Sequence, residues 1–299
     1  MTAPFETVHR SGYVAIVGRP NAGKSTLLNA LIGQKISITS RRPQTTRQNI
    51  AGILTSLDAQ LVFLDTPGFQ TQYRTGLTKA MDRGIKNALS EAHVVLWLID
   101  VTANVHKDDE LFARLKDAAA LVIAINKIDR IDNKNKLLEH IQALDAEYHP
   151  KAVVPISAQN RLQLDTLIEA LTPLLPRQEF LYPEDNVTTA SVRGLAAEMI
   201  REKLFRQLGQ ELPYSTAVEI ETFEEKPALT RIRAVILVDK PGQKAIVIGN
   251  GGEKLKEIGT AARLDIEKLV GGKVFLELWV KVKQSWADDR RTLDRLGLS

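Results

Sequence analysis

No cysteine occurs among the 299 residues, which excludes a disulfide framework and a thiolate metal site and fits a reducing compartment. Long apolar runs are missing too. Runs such as Val94–Ile99 and Leu121–Ile125 are about a third of the length a membrane-spanning helix needs and read as buried strands. Residues 1–12 lack the apolar core of a signal peptide, so a cytoplasmic protein is expected. Nor is there an excess of one charge. The formal net charge is +4. Residues 1–180 hold 21 Lys and Arg against 18 Asp and Glu, and residues 181–299 hold 19 against 18. Bulk charge therefore assigns nucleic-acid binding to neither half, and any such function must rest on local placement. Repeats and low-complexity tracts are absent. What remains, 44% apolar and 25% charged, is an ordinary globular composition, long enough for two domains.

Up to about residue 172, short β-branched runs alternate with helical patterns. Strands are expected at Tyr13–Val17, Leu61–Leu64, Val94–Ile99, Leu121–Ile125 and Val153–Ile156, with a weaker candidate near Asn49–Ser56. Between them, apolar residues recur at helical spacing: Leu27, Leu28 and Leu31; Leu111, Phe112 and Leu115; Leu137, Leu138, Ile141 and Leu144; Leu164, Leu167, Ile168 and Leu171. Strands apolar on both faces and followed by helices predict an α/β domain, a mostly parallel sheet with helices on both faces. Pro173, Pro176 and Pro183 cannot continue a helix, so a linker is expected at 176–190 between domains 1–175 and 191–299. Beyond it the order changes to a helix near Ser191–Leu208, strands at Thr216–Phe223 and Thr230–Val238, and a short apolar run Ala245–Ile248 entering Gly249-Asn250-Gly251-Gly252. A helical stretch, a second helix around Ala261–Leu269 and a strand at Val274–Lys283 follow. That is a small α+β domain.

Gly18-Arg19-Pro20-Asn21-Ala22-Gly23-Lys24-Ser25 fits G-x-x-x-x-G-K-[ST] between a strand and an apolar-periodic helix, the setting of a phosphate-binding P-loop. Glycines let backbone N–H groups surround phosphates, and the helix N-terminus adds positive potential. Lys24 is expected to neutralise β- and γ-phosphate oxygens and Ser25 to offer a hydroxyl to Mg²⁺. Thr26 follows in the phosphate-facing turn. The loop says nucleotide without naming the base. Asn126-Lys127-Ile128-Asp129, directly after a strand, names it. A carboxylate at Asp129 accepts two hydrogen bonds from guanine N1–H and the 2-amino group, a donor pair adenine lacks. Asn126 can bond the base edge and neighbouring loops, and the Lys127 stem can lie over the ring. Asp65-Thr66-Pro67-Gly68 ends another apolar strand, placing Asp65 to hold Mg²⁺ through water and Gly68 to bring an N–H to the γ-phosphate. Ser157-Ala158-Gln159 could aim N–H groups at guanine O6. GTP and GDP are the expected ligands.

These four segments, in this order and spacing, resemble the motif set of P-loop GTPases, and most closely the TrmE–Era group of bacterial GTPases. In that group a threonine before an arginine binds Mg²⁺ and the γ-phosphate. Gln44-Thr45-Thr46-Arg47 fills that place, so the resemblance implies Thr46, with Thr45 as rival. Phe69 stands where Ras-like GTPases carry the glutamine that orients water, a replacement known in this group, and no catalytic residue is assigned. The resemblance also implies potassium near Asn21, which could equally cap the loop.

Val247-Ile248-Gly249-Asn250-Gly251-Gly252-Glu253-Lys254-Leu255-Lys256 resembles the G-x-x-G segment of a type II KH domain. Such a loop clamps about four nucleotides by backbone approach. Lys244, Lys254 and Lys256 surround it and can meet phosphates, with Glu253 as the nearest opposing charge. Trp279 and Trp286 could stack on bases, although Trp279 in an alternating strand reads as core. A member of this GTPase group with one KH domain behind it is similar to this chain over essentially its full length. The similarity implies a monomer that binds the 3′ region of 16S rRNA, assists assembly of the small ribosomal subunit and uses GTP hydrolysis as a release step. It also implies peripheral association with the inner membrane. Two other readings stay open: a GTPase of tRNA modification, and a GTPase switch whose last domain docks proteins.

Overall fold

A computed structural model describes residues 9–40, 45–69, 75–102, 111, 113, 115, 120–131, 133–209 and 212–298. The chain forms two compact units. The first draws on residues 1–37, 49–71 and 82–189, and the second on residues 38–48, 72–81 and 190–299.

The first unit holds six strands: β1 (Arg10–Val17), β2 (Ile50–Thr55), β3 (Ala59–Asp65), β4 (Val94–Asp100), β5 (Leu121–Asn126) and β6 (Ala152–Pro155). Their order is β2-β3-β1-β4-β5-β6, with β2 antiparallel to β3 and every other pair parallel. The β-branched runs become strands because both faces are covered. Ala15, Val17, Val62, Leu64, Val95, Trp97, Ile123 and Ile125 point into one core, while the alternate residues Val14, Ile16, Leu61, Phe63, Leu96 and Leu98 are buried on the opposite face. The helices are α1 (Lys24–Ile32), α3 (Lys134–Tyr148) and α4 (Leu164–Leu171), while α2 (Gly76–Glu91) is divided, with residues 76–81 counted with the second unit and 82–91 with the first. Leu111 and Leu115 are helical and buried, as their spacing predicts. Phe112 and Gln44 lie outside the described residues.

The proline-bracketed segment is not free chain. A 3-10 turn at Thr172–Leu174 follows α4, and the chain then runs back along the first sheet. Ser11 N–H donates to Pro176 O (3.1 Å), Gln178 N–H to His9 O (3.1 Å) and Ile53 N–H to Val187 O (2.9 Å). Gln60, fully buried on β3, is the anchor. Its Oε1 accepts from the N–H groups of Leu181 and Tyr182, both at 2.9 Å, and its Nε2 donates to Tyr182 O at 2.9 Å.

The second unit is built on β7 (Thr216–Glu224), β8 (Thr230–Val238) and β9 (Val274–Val282), in order β7-β8-β9, antiparallel then parallel. Its helices are α5 (Val192–Gln207), α6 (Pro241–Ile248), α7 (Glu253–Val270) and α8 (Arg290–Arg295). The run Ala245–Ile248 is helical, so α6 enters the glycine loop, and one continuous α7 leaves it in place of a stretch plus a second helix. The sheet is covered on both faces. Ile232, Ala234, Ile236 and Val238 of β8 meet α5 and α7 residues, while Val235 and Leu237 pack with Leu77, Met81, Trp286, Leu293 and Leu298. Trp286 is buried, its indole N–H on Ser215 O at 2.9 Å. It is therefore a core residue and has no face for a base, and the partly buried Trp279 packs on the same cluster.

Replacing Gln60 with Leu leaves the Leu181 and Tyr182 amides without their acceptor. Urea unfolding is expected to register a loss of about 1–3 kcal/mol, and a loss under 0.5 kcal/mol would mean the segment is held by its other contacts.

Candidate functional sites

The loops at the carboxyl ends of the parallel strands meet in the first unit, where α/β sheets place ligands. β1 runs into the loop 18–23, β3 ends on Asp65, β4 on Asp100 and β5 on Asn126, and β6 leads to Ser157. Asn126 ties three of these segments. Its Nδ2 donates to Ala22 O at 2.9 Å, and its Oδ1 accepts from Lys127 N–H (2.8 Å) and Ala158 N–H (3.0 Å). Gly23 makes room for it. That glycine has φ +105°, and a Cβ there would stand 2.3 Å from Asn126 Nδ2, so the second P-loop glycine is required by packing as well as by phosphates.

Lys127, at φ +66°, donates through Nζ to Asn21 O (2.7 Å) and to Asp100 Oδ2 (2.5 Å). Asp100 is a residue the motifs do not reveal. Its only sequence signal is a carboxylate ending an apolar strand, the signal Asp65 also gives. It holds Lys127 across the P-loop, and the hydrogen bonds from Lys127 and Thr102 keep its carboxyl below the usual range against the opposing effect of burial. Asp129 is exposed, and its Oδ1 accepts from the Ser157 hydroxyl, so one edge of the carboxylate is oriented from the 157–159 loop.

At the phosphate end, Lys24 is buried and its Nζ rests on Gly18 O (3.1 Å) and Arg19 O (3.2 Å). Burial pushes its ammonium down to about 8, with Asp65 opposing that shift. Ser25 Oγ donates to Asp65 Oδ2 at 2.8 Å. A hydroxyl and a carboxylate, both buried, are oxygen donors of the kind Mg²⁺ takes alongside phosphates. Thr66 Oγ1 donates to Ile16 O (2.8 Å) and Phe69 N–H to Gly18 O (3.2 Å). The Phe69 ring, 3% exposed, belongs to the core with Val17, Leu64 and Trp97, so it anchors its loop and has no polar atom for water. α1 starts at Gly23 without a side-chain cap, so Asn21 is not its cap.

Thr46 is buried and counts with the second unit. There Thr45 O accepts from Arg201 Nη2, and Arg47 donates to Thr216 O (2.6 Å), Tyr214 O (2.9 Å) and Pro213 O (3.2 Å). The Arg47 guanidinium sits 5.9 Å from the Phe205 ring and 5.8 Å from Trp286. Burial, and then Arg201, push it down to about 9.

The glycine loop of the second unit joins α6 to α7. Gly249 has φ +73°, and a Cβ there would meet Lys254 Cβ at 2.6 Å, whereas Cβ atoms at Gly251 or Gly252 would meet nothing within 4 Å. The first glycine is thus fixed by the turn and the other two face open space. Lys244 and Lys256 are exposed. Lys254 pairs with Glu257 at 2.6 Å, so its opposing charge comes from the next helical turn and not from Glu253. Beside the loop a groove of about 330 Å³ runs between α7 and β9, lined by Leu255, Lys256, Thr260, Arg263, Leu276 and Leu278. An apolar floor with cationic and hydroxyl rims suits bases below and phosphates above. Arg263 and Thr260 carry no motif and were not singled out by sequence.

Residues 13–127 match the family described as 50S ribosome-binding GTPase, and residues 211–287 match the KH domain family. Over 293 residues the chain is 50% identical to GTPase Era of Chromobacterium violaceum, covering 98% of this chain and 99% of that protein. The chain belongs to the GTPase Era family. Two solved Era structures, each 38% identical with a TM-score of 0.92, cover 97% of this chain and 99% of their own. One is a variant of Aquifex aeolicus Era bound to GDP and AlF4⁻. The other is Era in complex with MgGDPNP and nucleotides 1506–1542 of 16S ribosomal RNA. As an Era family member the chain is a GTP-binding P-loop GTPase with a C-terminal RNA-binding KH domain. Among the described residues no helix is long and apolar enough to cross a membrane.

A phosphate beside Lys24 favours its charged form, so nucleotide binding raises that group's affinity for its proton. The free side chain is protonated below about pH 8 and neutral above. GTP binding by this Era family chain is therefore expected to take up a proton near pH 8.5 and to weaken as pH rises further. Calorimetry at that pH in two buffers of different ionisation enthalpy checks this, and equal apparent enthalpies would contradict it.

Proposed function

We propose that this chain hydrolyses GTP to GDP and phosphate in order to bind and release the 3′ region of 16S rRNA during assembly of the small ribosomal subunit. Residues 1–175 carry the nucleotide, 191–299 the RNA, and 176–190 join them. The observation that carries the reading is the tie made by Asn126, which joins the phosphate loop to the guanine loops while Asp129 stays exposed beside Ser157. The Era complex that holds both MgGDPNP and 16S nucleotides supports the pairing of ligands. In this reading Gly18–Thr26, Asp65–Gly68 and Thr46 face the phosphates, and Asn126, Lys127, Asp129 and Ser157–Gln159 face guanine. Ser25, Thr46 and, through water, Asp65 would hold Mg²⁺, which would neutralise charge on the β- and γ-phosphates. Lys24 gives up its two backbone carbonyls for phosphate oxygens. Phe69 has no polar atom to orient water, so slow intrinsic hydrolysis is expected, and a potassium ion held beside Asn21 would supply further positive charge.

Two charge-assisted hydrogen bonds from guanine to Asp129 correspond to about 3 kcal/mol, or roughly a hundredfold in affinity. Asp129→Asn, which exchanges one acceptor for a donor, is expected to weaken GTP by about that factor and to improve xanthosine triphosphate. Unchanged GTP affinity in a nucleotide titration would remove Asp129 from base reading. In a GTP hydrolysis assay, equal rates in potassium and sodium would remove the potassium ion.

RNA is assigned to the loop and its flanking lysines, Lys244, Gly249, Asn250, Gly251, Gly252, Lys254 and Lys256, and to the groove beside them. Asn250→Asp with Gly251→Asp adds two negative charges where the backbone of a bound strand passes, and Asp tolerates the left-handed conformation of Gly251 (φ +56°). The double variant is expected to lose binding to a single-stranded 16S 3′-end segment in a filter assay with GTP or GDP present, at unchanged GTP affinity. Retained RNA binding with normal circular dichroism would favour a protein-docking role for the last domain.

A further inference from the structure

The P-loop helix carries a second device behind the phosphate site. α1 ends at Gly33, and the chain turns back beside the helix. Asn29, one helical turn beyond Ser25, catches the returning chain. Its Oδ1 accepts from the N–H groups of Ile36 and Ser37, both at 2.9 Å, and its Nδ2 donates to Ser37 O at 2.7 Å. Both backbone polar groups of Ser37 are thereby fixed by one amide. The Ser37 hydroxyl, on a residue 1% exposed, donates to Asp65 Oδ2 at 2.8 Å. The same oxygen accepts from Ser25 Oγ at 2.8 Å. Two hydroxyls from opposite ends of the α1 turn therefore converge on one carboxylate oxygen.

We propose that Ser37, stapled by Asn29, is a positioning residue for the magnesium site: it fixes the Asp65 carboxylate and so sets how tightly Mg²⁺ is held with the nucleotide. When Ser25 turns its oxygen to the ion, it can still donate its proton to Asp65, but its direction is then dictated by the ion. Ser37 keeps its direction, because its backbone is held from α1. It remains as the donor that stops Asp65 from rotating. Groups of this kind, one bond removed from a metal, change metal affinity by about 10–100-fold when removed. The inference rests on the reading of Asp65 as the carboxylate that faces Mg²⁺.

The test uses the full chain and a fluorescent GDP analogue, with the analogue's release rate followed against free Mg²⁺. In Ser37→Ala the Mg²⁺ concentration that half-suppresses release is expected to rise about tenfold, with the release rate in EDTA within about twofold of wild type. Asn29→Ala, which frees the Ser37 backbone without touching the hydroxyl, should move the midpoint in the same direction, and it serves alone if Ser37→Ala does not fold. Midpoints within about twofold of wild type in folded variants would overturn the proposal. So would faster release in EDTA by the same factor, because that is general loosening of the nucleotide site. Asp65→Ala separates the two levels. If it leaves the Mg²⁺ dependence intact, the reading of Asp65 fails. If Asp65→Ala abolishes the dependence and Ser37→Ala does not shift it, only the role of Ser37 fails.

Discussion

The nucleotide unit depends on one buried amide. Asn126 has its side-chain polar atoms inside the protein, where each must find a partner, and the partners it finds belong to the P-loop, to its own turn and to the loop after β6. Loops at strand ends are otherwise the most mobile parts of an α/β domain. Here the phosphate-binding and base-reading loops cannot shift independently, since moving either leaves a buried donor or acceptor unpaired. The absent Cβ of Gly23 and the Lys127 bridge from Asp100 to Asn21 serve the same end. Base and phosphate sites are therefore held at a fixed spacing before any ligand arrives.

Electrostatics at the phosphate end follow from burial. Lys24 is held away from water among carbonyl oxygens, which weakens its grip on its proton. In the proposed complex a polyphosphate replaces these weak partners by charged ones. Asp65 is the counterpart, an acceptor already ordered by two serine hydroxyls. Beside them Phe69 contributes its ring to the core and only its amide to the P-loop. Phe69 itself offers no polar side-chain atom for the water-orienting task of the Ras-like glutamine.

The second unit separates stability from recognition. Its sheet is covered on both faces, and Arg47 fills a deep position between Phe205 and Trp286 with three carbonyl acceptors. A buried guanidinium is costly unless its donors are matched in this way, and the nearby Glu198 carboxylate opposes the loss of its charge. With the core so occupied, the exposed groove and the glycine loop, whose second and third glycines meet no neighbouring atom, are the surfaces to which the proposal assigns RNA.

Much of this was legible in the sequence because it is local. Strand and helix periods, the P-loop, the Asn126–Asp129 turn and the Gly249–Gly252 loop are fixed by adjacent residues and by the side faces they must bury, so all six strands of the first sheet lie where the apolar runs place them. Contacts between distant segments were not legible. Nothing beside Asp100 says that it holds Lys127, and nothing beside Ser37 says that it reaches Asp65. The prolines after α4 announced a break, but Gln60 decided that the chain returns along the sheet. Trp286 could have been a stacking platform by composition, and only packing made it core. The glycines at 23 and 249 were expected from phosphate and RNA, yet the first constraint on each is a protein atom closer than a Cβ allows. Local spacing determined the chemistry this chain carries. Which polar groups hold that chemistry in place was decided by the fold, because burial forces each one to pair with whatever the tertiary structure brings near.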